Sequence, residues 1–370
     1  MFSWDVGEMN YKQRVVASIL LFAFVAMADR VLPKLHAQPP MLEVTIGAKQ
    51  EVGLPIFWGT EEAILLHQNG SIQVLPVSSI DNHQITSIPF RPSPSMQLKG
   101  ELQDEFGPDY QVLAASHFLF VVPRQSNTDW PQLFQQMHAS LIRFFTTRGI
   151  VFQPAEFPLV TVVFRTEQEF HRYAIRENTQ LSSSTLGYYS ILSNRMVLFD
   201  RPSSSSNWFS THKTIFHEAT HQFAFNSGIH QRMSQTPLWV VEGLASLFEA
   251  PGFQESGSSD PRDKWNEGRL NTWKHLAAKP EVATELLQAV LQEDRIFDLH
   301  PDEGYALAWA LTHYLSQREP TKYATYLRHV AALKPYASYP KPQRLADFKR
   351  LVQSDLALLT KNIQRSLQGD

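Results

Sequence analysis

Hydrophobic periodicity divides the chain into three stretches. From Met41 to about Phe90 the apolar positions come in short runs suited to strands. Leu42-Glu-Val-Thr-Ile46 alternates, Ala63-Ile-Leu-Leu66 is a compact apolar run, and Ile72-Gln-Val-Leu-Pro76 follows it. Gln68-Asn69-Gly70 lies between the last two as the turn a hairpin requires. This predicts a small β-module over residues 41–95, of the size of a five-stranded barrel. The Pro/Ser stretch Pro89 to Ser95 marks its boundary.

Beyond Met96 strand and helix patterns alternate. His117 to Val122 and Pro158 to Phe164 read as buried strands. Trp130 to Thr147 places Trp130, Leu133, Phe134, Met137, Leu141, Phe144 and Phe145 on one helical face. Glu167 to Arg176 reads as a helix, and Leu186 to Ser190 pairs with Met196 to Phe199 around Ser193-Asn194. From Trp208 the pattern is mostly helical, with apolar helical spacing in Glu285 to Leu291, Tyr305 to Leu315, Tyr323 to Leu333 and Gln343 to Leu367. Ser203 to Ser206 and Glu255 to Asp260 read as polar loops. Strands followed by helices predict an α+β fold.

Composition narrows the chemistry. The formal net charge is -3 and no basic run occurs, which argues against a nucleic-acid partner. Cysteine is absent, so disulfides, thiolate metal sites and thiol nucleophiles are excluded, and any transition metal must be held by His, Asp or Glu. Lys12 and Arg14 precede the uncharged stretch Val15 to Ala28, which ends in Ala26-Met27-Ala28. That order is expected of a signal peptide over residues 1–28. Uncleaved, it would be an N-terminal anchor and the only membrane contact; either way the body of the chain is expected to be exported. Val31 to Pro40 reads as a linker.

The segment Phe216-His-Glu-Ala-Thr-His-Gln-Phe223 carries the clearest chemical signal. Histidines four apart on a helix share a face, so His217 and His221 can reach one ion. Glu218, beside the first of them, is placed to take a proton from a metal-activated water. Downstream, Leu238-Trp-Val-Val-Glu-Gly-Leu-Ala-Ser-Leu-Phe-Glu249 is an apolar helix with an acid near its start. A buried carboxylate needs a partner, and Glu242 would complete a three-ligand site. Glu249, two turns further along the same face, is placed to orient a ligand histidine or to be a solvated carboxylate. His212 and His230 fall outside the ligand spacing and read as surface or capping residues. His313 reads as an ordinary core or surface histidine, and Asp302 and Glu303 as acids at a helix start.

These segments, His217 to His221 and Trp239 to Glu249, resemble the gluzincin metallopeptidases, and more distantly their aminopeptidase-N-like branch. Together with the Gly-Tyr-Tyr strand and Tyr305-Ala-Leu-Ala-Trp-Ala-Leu311, they are similar to uncharacterised exported bacterial gluzincin-like proteins. The resemblance implies a two-lobed zincin-like catalytic domain over 96–370, one Zn2+ on His217, His221 and Glu242, and Glu218 as general base. It also implies a later tyrosine that stabilises the transition state, for which Tyr305 stands at a similar distance. The strand Gly187-Tyr188-Tyr189-Ser190 would hold an extended peptide by main-chain pairing. It lacks the acid with which aminopeptidases of that branch capture a free amine, so an endopeptidase acting on peptide or protein substrates is expected. The competing readings are a non-catalytic metal-containing binding protein of the cell surface and a zinc amidase acting on cell-wall material.

Overall fold

A computed structural model describes residues 39–183, 185–200, 208–254 and 260–368. The expected leader at 1–28, most of the linker, the Ser203 to Ser206 loop and most of the Glu255 to Asp260 loop lie outside the described residues. The fold is α+β, with two five-stranded sheets and thirteen α-helices among the described residues. Contacts divide it into two units. One comprises residues up to Gly100 with 191–194, the other Glu101–Ser190 with Arg195 onward.

In the first unit the strands are β1 (Pro40–Ile46), β2 (Lys49–Trp58), β3 (Glu62–Leu66), β4 (Ile72–Pro76) and β5 (Asn82–Pro89). Their order is β4-β3-β2-β1-β5, and every neighbouring pair is antiparallel. Alternation works here as physics requires. Leu42 and Val44 of β1, Leu65 of β3 and Leu75 of β4 point to one side and form the small core. The expected barrel is corrected: β4 and β5 are the two sheet edges, and no pairing between them closes the sheet among the described residues.

The second unit begins within α1 (Ser95–Phe106) and builds a mixed sheet from β6 (Tyr110–Ala115), β7 (Phe118–Pro123), β8 (Leu159–Phe164), β9 (Gly187–Ser190) and β10 (Arg195–Phe199). The order is β6-β7-β8-β10-β9. The inner pairs β7–β8 and β8–β10 are parallel and the outer pairs antiparallel, which leaves β9 at an edge. β7 and β8 are buried at every position, as continuous apolar runs in the middle of a covered sheet should be. Between them runs α2 (Trp130–Thr147), capped by Asp129 and burying Trp130, Phe134, Met137, Leu141, Phe144 and Phe145. Next comes α3 (Glu167–Arg176), capped by Thr166.

The helical remainder comprises α4 (Trp208–Asn226), α5 (Leu238–Phe248), α6 (Pro251–Gln254), α7 (Glu267–Ala277), α8 (Pro280–Gln292), α9 (Ile296–Leu299), α10 (Pro301–Arg318), α11 (Pro320–Ala331), α12 (Lys341–Val352) and α13 (Leu356–Ser366). The stretch Gln343 to Leu367, expected as one helix, is two. Gln353 turns left-handed at φ 53, and the Asp355 carboxylate caps the amides of Ala357 and Leu358 to start α13. Two features set the position of α5. Its first amide, at Leu238, donates to Asp294 at 2.9 Å, and Arg344 holds that carboxylate from the other side at 2.9 Å. Its buried face meets α10 at Gly243, where a Cβ would lie 2.2 Å from Thr312 Oγ1 and 2.6 Å from the Ala308 carbonyl oxygen. Only glycine permits that approach.

Candidate metal centre

Local helix geometry places the histidines. One turn apart on α4, His217 and His221 bring their Nε2 atoms to 3.0 Å, with ring planes at 84°. Glu242, from the first turns of α5, reaches in so that its Oε2 lies 3.2 Å from His217 Nε2 and 3.7 Å from His221 Nε2. Tetrahedral zinc with bonds of about 2.0–2.1 Å keeps its ligand atoms roughly 3.3 Å apart, and the three separations straddle that value. His217, His221 and Glu242 therefore form a group that can hold a metal ion. A second observation agrees with the fit. Glu242 Oε2 is buried and makes no hydrogen bond of good geometry, a costly state for a carboxylate oxygen unless a cation takes it.

The proton positions follow from the partners. A carboxylate only accepts, so the 2.9 Å contact between His217 Nδ1 and Glu249 Oε1 places the proton on Nδ1 and turns the Nε2 lone pair toward the group. Glu249 stands at the end of α5. Its other oxygen accepts from Asn266 Nδ2 at 2.7 Å, and that amide also donates to the Ser246 carbonyl at 3.3 Å. Asn266 is a member of the site that sequence reading missed. It sits in the residue before α7, where no periodic pattern marks it.

Charge is concentrated here. Burial opposes protonation of His217, yet the carboxylates of Glu242 and Glu249 beside it outweigh that and raise its pKa well above the ordinary value. For Glu242 burial is likewise outweighed, and His221 and His217 hold its carboxyl far below the usual range. Burial pushes Glu218 upward against the pull of both histidines. With the histidines neutral, Glu218, Glu242 and Glu249 bring three negative charges into one buried region, and a divalent cation neutralises two of them.

Glu218 does not point at the ligand group. Its Oε2 accepts the main-chain amide of Tyr189 at 2.8 Å, which binds the carboxylate to the edge strand β9. Gly187, two residues earlier, allows close packing of β9 on β10 and α4. A Cβ on Gly187 would lie 3.1 Å from the Val197 carbonyl oxygen and 3.3 Å from Thr214 of α4. Of the three strand residues singled out from sequence, Gly187 packs on Val197, Leu198 and Thr214, whereas Tyr189 meets the site through its main-chain amide. The Tyr188 side chain does not reach it: its hydroxyl donates to Glu177 at 2.9 Å and its ring packs on Phe170. Alternation along the strand sends it to the opposite face. Tyr189 stacks on Phe225 at 5.8 Å.

Tyr305, in the second turn of α10, is close enough to the carboxylates for their charge to act on its hydroxyl. Glu242 is the largest influence on it, then burial, then Glu218, and all three raise its pKa, so the phenol stays protonated as a donor. Phe297 meets its ring edge-on at 5.4 Å, and the Arg269 guanidinium lies over its face at 4.7 Å.

His230 corrects the sequence reading. It is 1% exposed rather than on the surface, and neither ring nitrogen makes a hydrogen bond among the described residues. The chain doubles back at Gly228 (φ 73), and the amides of Ile229 and His230 both donate to the Ala224 carbonyl, which tucks the ring behind Phe225. Burial, with the neighbouring His221, lowers its pKa to about 3. His313 is buried beside Trp309 and Phe253 on the distal part of α10.

Residues 211–337, which include every residue of the group from His217 to Tyr305, match the family described as "Protein of unknown function (DUF1570)". No curated protein matches the chain. Several solved structures are similar, among them two of unknown function. One is a functionally unknown conserved protein from Bacillus anthracis str. Ames, 9% identical over 87% of this chain and 74% of that one, with a TM-score of 0.31. The other is a mutant of a functionally unknown conserved protein from the same organism, 10% identical over 88% and 71%, with a TM-score of 0.30.

Proposed function

We propose that the chain is an exported zinc-dependent metallopeptidase that hydrolyses internal peptide bonds, with Glu218 as general base. One observation carries the reading. His217, His221 and Glu242 converge within 4.8 Å of one another, and the carboxylate of Glu218 lies beside them rather than among them. A purely structural zinc site needs no adjacent base. Export rests on the basic-then-apolar order of residues 12–28. No helix among the described residues is long and apolar enough to cross a membrane.

When bound, zinc supplies Lewis acidity that polarises an amide carbonyl and makes water nucleophilic near neutral pH. The chain's own groups do the rest. Glu218, its carboxyl pKa raised by burial, accepts the proton of the attacking water and returns it to the departing amine nitrogen. The Tyr189 amide fixes the orientation of that carboxylate. Tyr305, kept protonated by the acids around it, donates to the oxygen that gains negative charge. Glu249 and Asn266 hold the His217 ring in its tautomer.

The test is elemental mass spectrometry on purified protein beside His217→Ala and Glu218→Gln variants, with a peptide-library cleavage assay. The expected result is about one zinc per chain in the parent and the glutamine variant and none in the alanine variant. Cleavage should be lost in both variants, and Tyr305→Phe should lower kcat about 10- to 1,000-fold while the metal is retained. A parent that binds no zinc after reconstitution, or one whose cleavage survives Glu218→Gln, would refute the reading.

A further inference from the structure

Beside the metal group stands a cation that the mechanism above does not use. Arg269, three residues past Asn266 in the first turn of α7, is half-buried and lies over the ring of Tyr305 at 4.7 Å, and Tyr305 in turn feels the charge of Glu242 and Glu218. Its charge acts on both Tyr305 and Glu249. It nevertheless makes no hydrogen bond or ion pair among the described residues. The acid on which its charge acts is already engaged, since the two oxygens of Glu249 accept from His217 and from Asn266.

A guanidinium carries five donors in a rigid fork that matches a carboxylate. Stacking on Tyr305 satisfies its face and leaves the donors at its rim unspent. The surroundings also favour an anionic ligand in this place only. Elsewhere the group is lined by Glu218, Glu242 and Glu249, which would repel a substrate acid, whereas Arg269 stands one tyrosine ring away from the position where a scissile carbonyl would lie.

We infer that Arg269 is a specificity-determining residue that receives a carboxylate of the peptide substrate on the Tyr305 side of the metal group. This rests on the peptidase reading and adds a substrate class to it. The carboxylate has two chemical sources, the C-terminus of a peptide or an acidic side chain beside the scissile bond. The first would make the enzyme trim chain ends, and the second would make it select internal acidic positions.

Binding, not turnover, tests this. Zinc-loaded Glu218→Gln protein is titrated by calorimetry with two matched pairs of short alanine peptides. One pair is N-acetylated and ends in a free carboxylate or an amide. The other is capped at both ends and carries a single Glu or Gln. One acidic peptide should bind about tenfold to a hundredfold more tightly than its neutral partner. Introducing Arg269→Gln should level the pair to within about twofold, and Arg269→Lys should restore part of the preference, since it keeps the charge and loses the fork. The pair that responds identifies the carboxylate's source. A parent that does not discriminate within either pair, one that binds neither, or a preference that persists in Arg269→Gln overturns the inference. A preference that holds while protein with Glu218 intact cleaves nothing would leave Arg269 in place and remove the peptidase reading alone.

Discussion

Gly243→Ala tests how Glu242, the α5 member of the candidate metal group, is positioned. The added methyl would lie 2.2 Å from Thr312 Oγ1, 2.6 Å from the Ala308 carbonyl oxygen and 3.1 Å from its carbon. Thr312 can rotate, but Ala308 presents main chain, so α5 and α10 must part by about 0.5–1 Å to reach ordinary contact distances. Overpacking of this kind costs about 1–3 kcal/mol. Exchange of glycine for alanine in a helix returns up to about 1 kcal/mol, so a net loss of roughly 1–2 kcal/mol is expected in the metal-free protein. The second effect falls on Glu242, the preceding residue. A displacement of α5 by half an ångström or so is large beside the 3.2 and 3.7 Å that separate its oxygen from the histidines. Zinc affinity should fall about 10- to 100-fold, as it does when supports of metal ligands are disturbed. Urea denaturation in the presence of a chelator measures the first quantity, and competition with a chromophoric chelator the second. A variant as stable as the parent would show that helix propensity prevails and that the two helices are not in main-chain contact. Unchanged zinc affinity would show that α10 does not position Glu242.

Two other substitutions probe independent parts of the structure. Glu249→Gln removes the charge that orients His217 and should weaken zinc binding about 10- to 100-fold, with Asn266→Ala acting in the same direction but less strongly; equal affinity in both would mean that α4 alone orients the ring. His313 is buried, and its pKa is lowered to about 4 by burial first and then by Lys264, Arg318 and Arg148. Because the folded form titrates below the unfolded one, stability is complete above about pH 6.5 and declines as pH falls toward 4. That loss is about 2 kcal/mol between pH 7 and 5. In metal-free protein His313→Phe should make the decline between those pH values shallower by that amount, and an unchanged slope in urea melts would rule this out.

Features that depend on nearest neighbours could be read from the sequence. The face of α2 from Trp130 to Phe145 is a local periodicity, and its bounds in the structure are those of the pattern. The pairing of His217 with His221 is one helical turn, and Glu242 stood out as an acid inside an apolar helix. Features created by tertiary approach could not be read. Asn266 reaches Glu249 through the path of the chain into α7, and Arg269 reaches Tyr305 from a different helix. His230 is buried by a reversal at Gly228 that spacing does not encode. The break between α12 and α13 rests on a left-handed glutamine, a residue that sequence patterns do not associate with helix ends.

The bond between Tyr189 and Glu218 also bears on solubility. β9 is a sheet edge, and an edge strand offers a template on which another chain can add its own strand and begin to aggregate. Here the template is only four residues long, and one of its amides is occupied by a carboxylate. A foreign strand would have to displace that bond and leave a buried acid without its donor. The Glu218 carboxylate therefore guards this edge of the sheet against self-association.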